Sequence, residues 1–188
     1  MDIPAETPAD TRLVEARKRH YVFAVVVALL GGALGIVGAI VQEFQAGGLL
    51  LLPFIGAPLI EEAVKPVGVY VALIRWPQAL RSRLFTALLA AGAGLVFGII
   101  ESIVYVNIYV KDPSDAFVTF RFTVTPALHL IASFIVGLGI TYKVIDWAQG
   151  RSPLPKSSRN CYIAAVALHG LYNTVVVALT LSGVLDLD

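Results

Sequence analysis

Five long apolar runs divide the chain, at about 21–41, 48–74, 84–110, 117–145 and 161–184. A helix rising about 1.5 Å per residue needs about 20 such residues to cross a bilayer. Each run is long enough. The pattern therefore predicts an all-α, polytopic transmembrane helix bundle of about five spans. The second run differs from the others, because Pro53, Pro58 and Pro66 interrupt it. Each proline removes a backbone donor, and Pro66 leaves the Glu62 carbonyl without its usual partner four residues on. A kinked or partly unwound helix is expected there, and bilayer depth tolerates one only against protein or a water-filled cavity.

Small residues recur on the runs. Gly31, Gly35 and Gly38 mark the first, and Gly94 and Gly98 repeat at GxxxG spacing in the third. Such faces let helices approach closely, which is how helices associate when lipid is as apolar as their side chains.

The flanking charges give an orientation. Eleven of the 14 Lys and Arg fall before the first run, after the second, or between the fourth and fifth. The opposite connections carry only Lys111, beside Glu43, Asp112 and Asp115. By the positive-inside rule the N-terminus is cytoplasmic, in a multi-pass protein of the cell membrane. Residues 1–19 read as a cytoplasmic tail and 20–188 as a single transmembrane helical domain. The first run reads as a retained anchor, since no small-residue cleavage site follows it.

Composition supports this picture. Of 188 residues, 57% are hydrophobic and only 14% charged, and mean hydropathy is +0.80. A soluble domain carries nearer a quarter charged residues. The net charge of +1, spread over several loops, gives no support for nucleic-acid binding. The single cysteine, Cys161, excludes an intramolecular disulfide and reads as a small packing residue.

Against this apolar background, Glu61, Glu62, Glu101, His129, His169 and Asn173 stand out inside the runs. Each buried ionisable group is costly in a membrane, and its default meaning is a functional site. Counted from the outer ends of their segments, all six lie roughly 14–22 Å down, in one layer. Composition does not force that agreement. It points to one shared cavity.

The residue types suit acid/base chemistry or metal binding. Glu61 and Lys65 are four residues apart, and Glu62 and Lys65 three, so both glutamates can reach the lysine. Neighbouring residues on a helix point about 100° apart, so the two carboxylates take different roles. One can be neutralised by Lys65 while the other faces the cavity as a general base for water. Glu101 could share a proton with a neighbouring glutamate, ligate a metal or orient a histidine. His169 and Asn173 lie one turn apart on one face, as paired donors to an oxyanion would. Alternatively His129, His169 and a glutamate, with Glu101 a candidate, could bind a divalent metal such as zinc. The sequence leaves these alternatives open. HExxH is absent, which removes the common zinc-protease helix. There is also no GxSxG, no phosphate-binding loop and no GxGxxG after a strand.

Four sequence elements together resemble the PrsW family of intramembrane proteases, within the larger group that includes the type II CAAX prenyl proteases. They are Pro58-Leu59-Ile60-Glu61-Glu62-Ala63-Val64-Lys65, Gly94 to Glu101 with its Phe97-x-x-x-Glu101, Arg121 with Thr125-Pro126-Ala127-Leu128-His129, and His169-Gly170-Leu171-Tyr172-Asn173. They occur in the family's order, one per helix. The CAAX-type relatives show EExxxR and FxxxH, where this chain has Lys65 at a shorter spacing and Glu101, so it stands nearer PrsW. The resemblance implies an intramembrane endopeptidase whose catalytic residues are Glu61, Glu62, Glu101, His129 and His169, with Asn173 as a supporting donor. Lys65 and Arg121 are the supporting charges. Implied partners are the lipid bilayer and a membrane-embedded protein substrate, such as an anti-sigma factor-like single-span protein. Two rival functions share these features: a proton-coupled transporter, since midplane carboxylates and broken helices mark ion pathways, and a non-catalytic scaffold of the same fold.

Overall fold

The computed structural model describes residues 16–46 and 52–183. Most of the expected tail, residues 1–15, the start of the second run, 48–51, and the last residue of the fifth run, 184, lie outside the described residues. The described chain is helical, without strands. It comprises α1 (Lys18–Ala46), α2 (Ala57–Val64), α3 (Val67–Arg75), α4 (Arg83–Val104), α5 (Asp115–Gly139), α6 (Tyr142–Ala148) and α7 (Lys156–Leu181). A π-helical turn, Leu52–Gly56, leads into α2, and another, Tyr105–Tyr109, continues α4.

Four of these helices are continuous, apolar and long enough to cross a membrane: α1, α4 with its π turn, α5 and α7. From Leu52 onward the second apolar run is helical too, but broken. Lys65 ends α2 by donating its backbone N–H to the Glu61 carbonyl, and Pro66 then starts α3 by accepting from Val69 and Tyr70. The break falls where Pro66 cannot donate. The fourth run ends earlier than hydropathy suggests. α5 stops at Gly139, the chain is extended at Ile140 and Thr141, and α6 is a separate short helix. Ile140 is buried, so its apolarity belongs to the core and not to a longer span.

Local chemistry fixes the helix starts. The Ser82 hydroxyl accepts from Phe85 N–H to open α4, and the Ser114 hydroxyl accepts from Phe117 N–H to open α5. α4 is the central helix, packed chiefly against α5 and also against α1, while α5 packs on α7 and α1 on α2 and α3. Alanines dominate the core: Ala24, Ala28, Ala72, Ala90, Ala132 and Ala165 are all fully buried. Large apolar side chains such as Leu34, at 67% exposed, point outward instead. That inversion suits a lipid surround, where close backbone approach replaces hydrophobic drive.

The glycine seam does what its spacing predicts. A Cβ on Gly94 would stand 2.3 Å from the His129 carbonyl oxygen, and one on Gly98 2.7 Å from the His129 ring. Neither contact is possible for a real side chain. These two glycines therefore bring α4 against the α5 turn that carries His129.

Candidate active site

The six singled-out side chains come from four helices: Glu61 and Glu62 from α2, Glu101 from α4, His129 from α5, His169 and Asn173 from α7. Glu61, Glu62 and His129 meet at Lys65, whose side chain is completely buried. Its ammonium lies 2.7 Å from Glu62 Oε1, 3.2 Å from Glu61 Oε2 and 2.7 Å from His129 Nδ1. The Phe97 ring lies beside it, 4.6 Å from nitrogen to ring centroid, a cation–π contact. Lys65 thus reaches both glutamates, as its spacing from each allows.

These contacts set the histidine protons. An ammonium has only donors, so His129 Nδ1 accepts from Lys65 and its proton sits on Nε2. Nε2–H donates to Glu101 Oε2 at 3.0 Å. The same oxygen takes Arg121 Nη2 at 3.0 Å. Arg121 in turn lies over the Tyr105 ring, 3.9 Å from its centroid. His169 Nδ1 lies 2.9 Å from Glu62 Oε1, and a carboxylate can only accept, so Nδ1 carries the proton. In the neutral ring His169 Nε2 is then a lone pair, 3.9 Å from Glu61 Oε2. The two imidazoles meet edge to face, with centroids 5.0 Å apart.

The two glutamates divide as helical geometry requires. Glu62 is fully buried and pinned by Lys65 and His169. Glu61 lines a cleft of about 700 Å³, together with Glu101, Arg121, His129, His169 and Asn173. Glu61 Oε2 is buried without a hydrogen bond. The cleft runs from this layer toward the end of the bundle marked by Lys111 and Leu181, between α5 and α7. Both π turns border it, one ending beside Ala57 and the other beginning at Tyr105. Such turns recur at functional sites because they re-aim side chains within a helix.

Several lining residues were not singled out from the sequence, Tyr172 and Tyr105 among them. Tyr172 shares a hydrogen bond with Thr125 at 3.0 Å and stacks on Phe120, tying α7 to α5 beside the cleft. Tyr105 carries Arg121. Tyr172 adjoins Asn173 in the fourth motif, which was the one available signal.

Among the described residues, one carboxylate and two imidazoles converge closely enough to hold a metal ion: ligand atoms of Glu61, His129 and His169 lie within 4.8 Å of one another. From the sequence, Glu101 was the candidate third donor. The structure brings Glu61 to that position and holds Glu101 with Arg121 and His129. A family model described as PrsW family intramembrane metalloprotease matches residues 18–186. The chain belongs to this family. No curated protein and no solved structure matches it. As a PrsW family member it is a multi-pass membrane protein of the intramembrane protease class, with membrane-embedded substrates.

The family description implies a metal, and the donors present fit one. Two imidazoles and one carboxylate are a set that catalytic zinc sites use. Glu61 Oε2 lacks a hydrogen bond, and the Glu62 bond to Nδ1 leaves Nε2 of a neutral His169 ring as the ligating lone pair. His129 joins only by releasing Lys65 or Glu101, which occupy its two nitrogens.

Proposed function

We propose that this PrsW family protein is an endopeptidase that cleaves peptide bonds of membrane-embedded proteins in the 700 Å³ cleft, with Glu61 as the group that activates water. The observation that carries this reading is a pair of acceptors at the cleft base, one of them a Glu61 oxygen that is ion-paired with Lys65 but makes no hydrogen bond. Glu61 Oε2 and His169 Nε2 stand 3.9 Å apart, a gap matched to one water donating bonds of about 2.8 Å to each.

The reaction follows from those groups. Glu61 takes a proton from the bridging water as its oxygen attacks the peptide carbonyl carbon. The carbonyl oxygen becomes an alkoxide, to which the Asn173 amide, one turn from His169 in the same cleft, is the candidate donor. Glu61 then returns the proton to the leaving nitrogen, and the C–N bond breaks. Glu62 orients His169 and shares the Lys65 charge. Lys65 and Arg121 hold His129 and Glu101 in fixed hydrogen-bonding states. The Arg121–Glu101 pair lines the same cleft and is suited to contact the substrate backbone.

A second reading is favoured by the converging donors. In it Glu61, His169 and His129 hold a divalent cation such as zinc, which when bound polarises water or a carbonyl as a Lewis acid. Glu61 cannot then also be the free base.

The orientation read from the charges places the cleft mouth on the outer face. That suits a single-span substrate, such as an anti-sigma factor-like protein, cut near its outer end.

The deciding experiment reconstitutes purified protein in liposomes with a panel of single-span substrates, with and without a zinc chelator. Cleavage that persists with chelator and vanishes in Glu61→Gln supports the water-activating role. Cleavage lost to chelator and restored by zinc supports the metal reading. Absence of cleavage by the wild type, with solute flux instead, would overturn both in favour of a transporter.

A further inference from the structure

A second cavity, of about 860 Å³, lies at the other end of the bundle, framed by the start of α4, by α6 and by the start of α7. Three cations from those three elements line it: Arg83, Lys143 and Lys156. All three are exposed, and none has an ion-pair or hydrogen-bond partner among the described residues. The carboxylate in the lining, Asp146, is already engaged. Its Oδ1 accepts from Arg151 Nη2 at 2.6 Å and from Nε at 3.2 Å. Hydroxyls of Thr141 and Ser157 add donors to the wall. The cavity therefore offers uncompensated positive charge and hydrogen-bond donors.

Its depth says what would fill it. Arg83 and Lys156 are the first residues of helices long enough to cross a bilayer, so the cations stand at headgroup level. Trp147 on α6 is 46% exposed, as aromatic side chains at a membrane interface are. Within about two turns of those helix starts, Leu84 and Leu88 on α4 and Ile163 on α7 are each more than half exposed, as lipid-facing side chains are. A soluble anion would use the cations alone. A ligand with a phosphate head and acyl tails would use both.

We propose that Arg83, Lys143 and Lys156 form a binding site for the headgroup of one anionic phospholipid, whose acyl chains run along Leu84, Leu88 and Ile163. Basic pockets between transmembrane helices recognise such headgroups through Coulomb attraction and hydrogen bonding together. Nothing in the peptidase reading requires the site, and its failure would leave that reading untouched.

Native mass spectrometry of the full chain, released from micelles with phosphatidylglycerol and phosphatidylcholine in equal amounts, tests this. The expected result is one phosphatidylglycerol retained per chain in preference to phosphatidylcholine. The combined Arg83→Gln, Lys143→Gln, Lys156→Gln variant should lose that retention about tenfold or more. Arg75→Gln, at the same end but outside the cavity, should keep it, as should Lys143→Arg with Lys156→Arg. Excess inorganic phosphate should not displace the lipid. Equal retention of both lipids, unchanged retention in the triple variant, equal loss in Arg75→Gln, or displacement by phosphate would each overturn the proposal. Because the three side chains are exposed and unpaired, the triple variant should unfold at the wild-type midpoint, which the same preparation can verify.

Discussion

Replacing Lys65 by methionine keeps the volume of the side chain and removes the cation on which the site is built. The ammonium is completely buried, 2.7 Å from Glu62 and 3.2 Å from Glu61. At an effective dielectric of about 20, those separations correspond to attractions of about 6 and 5 kcal/mol. Holding the ammonium out of water offsets several kcal/mol of that sum, and a buried ion deprived of its partner typically costs about 3–5 kcal/mol net. The structure adds one further loss, the 2.7 Å bond to His129 Nδ1. Lys65→Met should therefore destabilise the fold by about 3–5 kcal/mol. Unfolding in mixed micelles by titrated denaturing detergent, followed by helical circular dichroism, measures this. The double variant Lys65→Met, Glu62→Gln removes one of the stranded carboxylates and should recover much of the loss, since replacing both members of a buried pair is often close to neutral. A cost below about 1 kcal/mol for the single variant, the value of an exposed pair, would refute the reasoning. So would a double variant no more stable than the single one.

Other consequences follow from the same geometry. Gly94→Leu puts a side chain into the His129 backbone, so α4 and α5 must separate; a stability loss of at least about 1–3 kcal/mol and loss of cleavage are expected in the same unfolding and liposome assays. Tyr172→Phe deletes the hydrogen bond to Thr125 but keeps the ring on Phe120, so about 1 kcal/mol of stability should go while cleavage persists. Ser82→Ala removes the cap of α4 at the far end from the cleft, and should cost about 1 kcal/mol without changing the cleavage rate of the folded fraction.

Much of this arrangement was legible in the chain. Hydropathy located the helices, because lipid-facing segments must be apolar all round. The common depth of Glu61, Glu101, His129 and His169 anticipated their meeting, because helix rise is nearly constant. The interruption at Pro66 and the close approach at Gly94 and Gly98 followed from the one donor proline lacks and the one atom glycine lacks. What the chain could not show were the contacts set by tertiary placement. Lys65 and His129 are 64 residues apart, and no spacing rule links them. The separation of roles between Glu61 and Glu62 depends on where α7 lies, since His169 engages Glu62 and leaves Glu61 to the cleft. The early end of α5 was hidden because Ile140 is apolar for core packing and reads as more membrane span.

The central claim is that Glu61, and not its neighbour, activates water. Single-turnover cleavage of one reconstituted substrate by wild type, Glu61→Gln and Glu62→Gln, each normalised to its folded fraction, tests it most directly. Glu61→Gln should abolish the chemical step, by at least about 100-fold for loss of a general base. Glu62→Gln should retain measurable cleavage, because Glu62 acts only through Lys65 and His169. Equal cleavage by wild type and Glu61→Gln would contradict the account.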